Sequence, residues 1–187
     1  LEFEELTIDQ FFGNDYTPSA KYIYLMKAIE ETANDFLPRV DIESQVFETA
    51  EDVPNFTDDS RIFSGFEGFA CGSAMNIINY NVELERCHFE NCSSTVAGGA
   101  VYINTGRDIQ HSTNFEGSTF TNCSSVSGGA LCIIARANED FVSITNCVFT
   151  RNSAADGSAI YLSTQSGQVK SCRFSSNSGS SIIKYAS

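Results

Sequence analysis

Four stretches of the chain repeat one order of apolar, small and polar positions: Cys87 to Tyr102, Ser118 to Cys132, Cys147 to Tyr161 and Cys172 to Ile182. Each is anchored on a phenylalanine, Phe89, Phe120, Phe149 and Phe174, at spacings of 31, 29 and 25 residues. Five positions before each anchor stand Leu84, Phe115, Ile144 and Val169, and two before it Cys87, Ser118, Cys147 and Cys172. Further on, Val101, Leu131 and Ile160 are followed two residues later by Ile103, Ile133 and Leu162, the period-two pattern of a strand with one buried face. The residues between them, Tyr102, Cys132 and Tyr161, point outward by the same parity, and Asn76 joins them from an earlier copy. A period in the twenties to thirties without helical patterning predicts stacked coils of about three short strands, equivalent positions lying ~4.8 Å apart.

The expected fold is therefore all-β, a right-handed parallel β-helix of about five coils, with the hand taken from the rule for parallel crossovers. Cys92, Cys123, Asn152 and Asn177 form a column three residues after the anchor, where stacked Asn amides can hydrogen-bond along the axis. Gly98-Gly99, Gly128-Gly129 and Asp156-Gly157 suit a corner with positive φ. Gly72 to Ile77 matches the second half of the unit and implies an earlier, degenerate coil beginning near Phe63. The chain thus divides into repeats over 63–187 and an N-terminal segment over 1–62.

Within that segment Tyr22, Leu25, Met26, Ile29, Ala33 and Phe36 follow helical spacing, and Pro18 and Pro38 bracket the run. An amphipathic helix over about 18–37 is expected to cover the open end of the stack. Between Arg39 and Ile62 the alternation is too thin to place a strand, and Glu51-Asp52 and Asp58-Asp59 read as an acidic connection.

Phe149-Thr-Arg-Asn152 and Phe174-Ser-Ser-Asn177, with Gly98-Gly-Ala-Val101 and Gly128-Gly-Ala-Leu131, resemble the repeat of the polymorphic outer membrane protein family and Cys-containing β-helix surface proteins of protists. Cys replaces the Asn in two copies, and the fourth lacks Gly-Gly-Ala. The resemblance covers roughly residues 63 to 185. It implies surface stalks and structural shafts with no common active site.

Composition narrows the function further. A net charge of −13 opposes nucleic acid and anionic membrane surfaces as partners. No apolar run approaches the ~20 residues that span a bilayer, and Leu1-Glu-Phe-Glu-Glu lacks the basic and apolar regions of a signal peptide, so the chain reads as a processed form or a fragment. Seven cysteines in a Ser-, Thr- and Asn-rich chain suggest an oxidising compartment. Cys92 with Cys123, and Cys147 with Cys172, are vertical neighbours and candidate disulfides, or else small core hydrophobes. Cys132 either faces outward to pair with Cys71 or another chain, or lies under a neighbouring segment. With two His and no Cys-x-x-Cys pair, neither a metal site nor a cofactor is expected. Asn55-Phe-Thr57, Asn91-Cys-Ser93 and Asn122-Cys-Ser124 are candidate N-glycosylation sites, Asn91 and Asn122 standing too close for two full glycans.

The loops at 104–112 and 134–141 leave adjacent coils on one side and gather Arg107, Asp108, His111, Arg136, Glu139 and Asp140. That cluster is either a solvated charged patch or, through Asp108, Glu139 and Asp140, the carboxylates of a carbohydrate-active enzyme. Tyr102 and Tyr161 offer flat faces for a glycan or a protein, unless the N-terminal segment covers them. The leading expectation is a non-enzymatic extracellular or cell-surface module. It self-associates or joins other surface or filament proteins through a last coil followed only by Ala186-Ser187.

Overall fold

Short strands recur at the predicted intervals and pair only with their equivalents one repeat away. The computed structural model describes residues 39–44, 49–106 and 109–186, which belong to one compact unit, Leu37–Ser187. Three faces run the length of a parallel β-solenoid. Face A has six strands: Val40–Glu43, Met75–Ile78, Val101–Asn104, Leu131–Ile134, Ile160–Ser163 and Ile183–Ala186. Face B has five: Asn55–Asp59, Asn81–Glu85, Ser112–Glu116, Phe141–Thr145 and Gly167–Lys170. Face C has five more: Ile62–Ser64, His88–Glu90, Thr119–Thr121, Val148–Thr150 and Arg173–Ser175. Five rungs, joined by four steps of winding, result. A fourth, narrow ladder pairs Phe69–Cys71 with Ser94–Ala97. The described helical content is one 3-10 turn, Ala50–Asp52. The capping helix expected over 18–37 lies outside the described residues.

The corners explain why strands of three to five residues suffice. Three residues before each anchoring Phe stand Ser60, Arg86, Gly117, Asn146 and Ser171, and two after it Gly65, Asn91, Asn122, Arg151 and Ser176, every one with φ between 50° and 74°. A single left-handed residue at each of these points turns the chain from face B to face C and then away from it. Non-glycine residues resist that conformation by roughly 1–2 kcal/mol each, Asn least. Gly72, Gly98, Gly128 and Gly157 make the turn into face A with φ of 50° to 65°. Here glycine is required, because a Cβ on Gly128 would lie 2.3 Å from the Leu131 carbonyl oxygen. Gly129 is excluded for another reason, since its Cβ would meet the Ser158 carbonyl oxygen of the next rung at 2.0 Å.

Inside, each column of side chains packs on itself. Phe63, Phe89, Phe120, Phe149 and Phe174 form one continuous stack, with ring centroids 4.8 to 5.1 Å apart and planes within 9° of parallel. The Asn column behaves as expected. Asn152 Nδ2 donates to the Phe120 carbonyl at 3.0 Å, its Oδ1 accepts from the Cys123 N–H at 2.9 Å, and Asn177 repeats the donation to Phe149 at 2.9 Å. Cys92 and Cys123 stand in the same column and turn their thiols to the equivalent carbonyls of Phe63 and Phe89, at 3.7 and 3.9 Å. Asn and Cys thus interchange because both donate to the anchoring Phe one rung earlier.

The solenoid begins before Phe63. Val40–Glu43 adds to face A above Met75–Ile78, burying Val40 and Ile42 partly against the core, and Asn55–Asp59 opens the first rung on face B. Their alternation is weak in sequence because Asp58 occupies the column filled elsewhere by Leu84 and Phe115. Burial pushes the Asp58 carboxyl up, although the Arg61 guanidinium lies 3.0 Å away. A charged residue at an inward position breaks the period-two signal that marks the later strands.

Phe120→Ala is expected to cost about 3–5 kcal/mol in urea unfolding, because its ring lies between two others at full burial. The loss at half-buried Phe174 should be distinctly smaller. Gly129→Ala should abolish cooperative unfolding. Gly106→Ala should be nearly silent, its nearest described neighbour being the Asn79 side chain at 3.4 Å.

Candidate functional site

The two long loops that leave face A do meet, and they enclose a buried polar cluster. Asp140 is 1% exposed, His111 4% and Thr105 2%. Both Asp140 oxygens are engaged: Oδ1 accepts the His111 backbone N–H at 2.7 Å, while Oδ2 accepts the Thr105 hydroxyl at 2.7 Å and the Ala137 N–H at 3.0 Å. His111 Nδ1 lies 2.7 Å from the Ile109 carbonyl, which can only accept, so Nδ1 carries the hydrogen. His111 Nε2 has no hydrogen-bond partner among the described residues.

Burial alone pushes the Asp140 carboxyl up. The hydrogen bonds from His111, Thr105 and the backbone N–H groups outweigh it and hold the group below the usual aspartate range. An aspartate so enclosed fastens one loop to the other. It offers neither an accessible basic oxygen nor a proton for acid catalysis.

The sequence reading brought together two loops that do meet, and it took Asp140 as accessible where the fold buries it. Glu139 and Arg136 point into solvent beside it, while Arg107 and Asp108 lie outside the described residues. Thr105 was missed. Its only signal is that it follows an inward-facing strand at a position where Ala135 stands one rung later, each N–H bonding to the next rung.

The tyrosine ladder is in register. Asp41, Asn76, Tyr102, Cys132, Tyr161 and Lys184 succeed one another across face A, with Tyr102 and Tyr161 half-buried on either side of Cys132. Cys132 is 1% exposed despite its outward parity, so of the two readings left open the buried one holds, and burial pushes its thiol up to about 12. Burial also raises the Tyr102 phenol.

All seven cysteines are free thiols. Cys92 and Cys123 are fully buried, as is Cys147, whereas Cys172 is half-buried. Two of the sequon residues take up corner positions, and Asn55 opens a face B strand. Asn91 and Asn122 are both left-handed, and Asn122 Nδ2 donates to Asn91 Oδ1 at 2.8 Å, so the Asn122 amide is engaged. Asn91 and Asn55 are exposed, and Asn55 Oδ1 accepts from Asn81 at 3.1 Å. Asn55 also borders a shallow depression of about 300 Å³ on face B, lined by polar residues such as Asn81 and Glu83 and by the apolar Phe56 and Val82.

Among the described residues no group of three or more His, Cys, Asp or Glu is disposed to hold a metal, and no helix is long and apolar enough to cross a membrane. No protein-family model, curated protein or solved structure matches the chain.

Asp140→Asn should lower stability at neutral pH, because one of its two acceptor oxygens becomes an NH2 group that faces donors. Because the folded-state pKa of Asp140 is depressed, its contribution is fully present above the unfolded value of about 3.9 and is lost as pH falls through the folded value. Melting temperature followed from pH 7 to pH 2 should thus fall less steeply in Asp140→Asn than in wild type.

Proposed function

We propose that the chain is a non-enzymatic structural and adhesive β-solenoid module of the cell surface or extracellular space, a subunit that lengthens a filament or stalk by rung-on-rung stacking. The observation that carries this reading is the fifth rung. It keeps the register of the other four on all three faces, from Val142 against Gly167, through Phe149 against Phe174, to Ile160 against Ile183. Its far side leaves Val169, Phe174 and Ile183 half-buried, and Ile182 and Tyr185 exposed at 48% and 60%. Phe174 has a stacked ring on one side, whereas Phe149 has one on each. An in-register parallel strand, from another copy or from a further rung of a longer stalk, would meet backbone groups at the same ~4.8 Å spacing and bury these side chains. The resemblance of the repeat to surface stalk proteins, the exposed sequon residues Asn55 and Asn91, and the acidic charge support a location outside the cell.

A second reading is favoured by the two half-buried tyrosines in one column. Their ring faces, two rungs apart on face A, suit an extended glycan or a partner protein.

Sedimentation over a wide dilution range, with electron microscopy of the fastest species, tests the first reading. Elongated particles with an axial repeat are expected. Ile183→Lys, at a half-buried outermost position, should dissolve them without unfolding the solenoid. A monomer at every concentration would overturn the stacking. Replacing Tyr102 and Tyr161 together by Ala should abolish surface binding on a glycan and protein panel, and unchanged binding would remove the adhesive role of face A.

A further inference from the structure

Two columns of the core contain vertically adjacent cysteines, and the pairs differ in one respect. Cys92 and Cys123 lie in the second and third rungs, both fully buried. Cys147 and Cys172 lie in the fourth and fifth, the first fully buried and the second half-buried. Registered parallel strands hold Val148 against Arg173, so Cys147 and Cys172, one residue earlier, are separated by the inter-strand rise of ~4.8 Å. That spacing lies inside the Cα window of roughly 4.4–6.8 Å that a disulfide tolerates.

The two thiols are neighbours along the column, and as a thiol Cys147 turns to the Thr145 carbonyl at 3.2 Å. The Cys147 S–H stabilises a thiolate on Cys172 and holds that group down to about 7, while the same contact raises Cys147. As a thiol, Cys172 also reaches the Ile144 carbonyl at 3.4 Å. The arrangement joins an accessible nucleophile to a buried partner directly above it.

We propose that Cys147 and Cys172 form a stacked dithiol that small-molecule disulfides oxidise in the folded protein, whereas Cys92 and Cys123 stay reduced until the solenoid opens. The Cys172 thiolate attacks one sulfur of a disulfide R–S–S–R, forming a mixed disulfide and expelling one thiolate RS⁻. Cys147 then gives up its proton, which ends on that RS⁻, and its sulfur attacks Cys172 Sγ and expels the second RS⁻, which takes up from solvent the proton that Cys172 released on ionising. Two protein thiols are oxidised to one disulfide, and R–S–S–R is reduced to two equivalents of R–SH. The product ties the fourth rung to the fifth.

The reaction is tested on the native full chain carrying Cys71→Ser, which removes the other half-buried thiol. Excess 4,4′-dithiodipyridine in non-denaturing buffer should release two equivalents of thiopyridone per chain and leave no adduct, and peptide mapping should find Cys147 joined to Cys172. Cys147→Ser should release one equivalent and retain a pyridyl adduct on Cys172. Ser118 occupies this column in the third rung, so serine is compatible with the fold, and an unchanged circular dichroism spectrum verifies it. Cys172→Ser should release none. A persistent adduct on Cys172 in the parent, no release at all, or a Cys92–Cys123 link forming equally fast would overturn the proposal.

Discussion

Parallel strand pairing between successive rungs fixes a rise of about 4.8 Å, and every side chain must be compatible with its own equivalent at that distance. This constraint accounts for most of the structure. Aromatic rings separated by 4.8 to 5.1 Å can only lie nearly parallel, which is why five phenylalanines stack along one line of the core. Where a backbone carbonyl of the next rung points at a Cα, as at Gly99 and Gly129, no side chain fits. Where the backbone leaves a carbonyl turned inward at a corner, a donor of suitable length must answer it, and Asn or Cys does so.

The same rise sets like charges above one another on the outside. Asp59, Glu85 and Glu116 share one outward column on face B. Arg86, held at a corner, reaches both Asp59 and Glu85. Glu116 is held low, first by the Thr145 hydroxyl and then by the Asn146 amide at 2.6 Å. The repulsion that stacking creates is thus answered from the neighbouring corner and the next rung.

Much of this architecture can be read from the chain because stacking converts a structural column into a sequence period. The anchoring Phe residues, the inward pairs of face A, the glycine corner and the Asn column all repeat at 25 to 31 residues and were visible on that account. What does not repeat was hidden. Asp58 interrupts the apolar column of face B, so the first strand of that face, Asn55–Asp59, and the strand at Val40–Glu43 gave no clear pattern. The two corners flanking the anchor mix Ser, Arg, Gly and Asn, so backbone geometry unites them while residue type does not. The loop cluster was half legible: spacing brought His111 and Asp140 together, but burial, which decides what an aspartate can do, depends on loop paths that no period encodes. Cys132 makes the same point on face A, where parity gives the direction of a side chain and not what lies over it.

The strands have nearly the same length in every rung, and the loops between face A and face B absorb the differences in repeat length. Reach along the axis is therefore set by the number of rungs, four steps giving roughly 19 Å, and is indifferent to what the loops contain. Residues at the exposed tips of these loops can change what the surface presents, while the spacing of the described rungs stays the same.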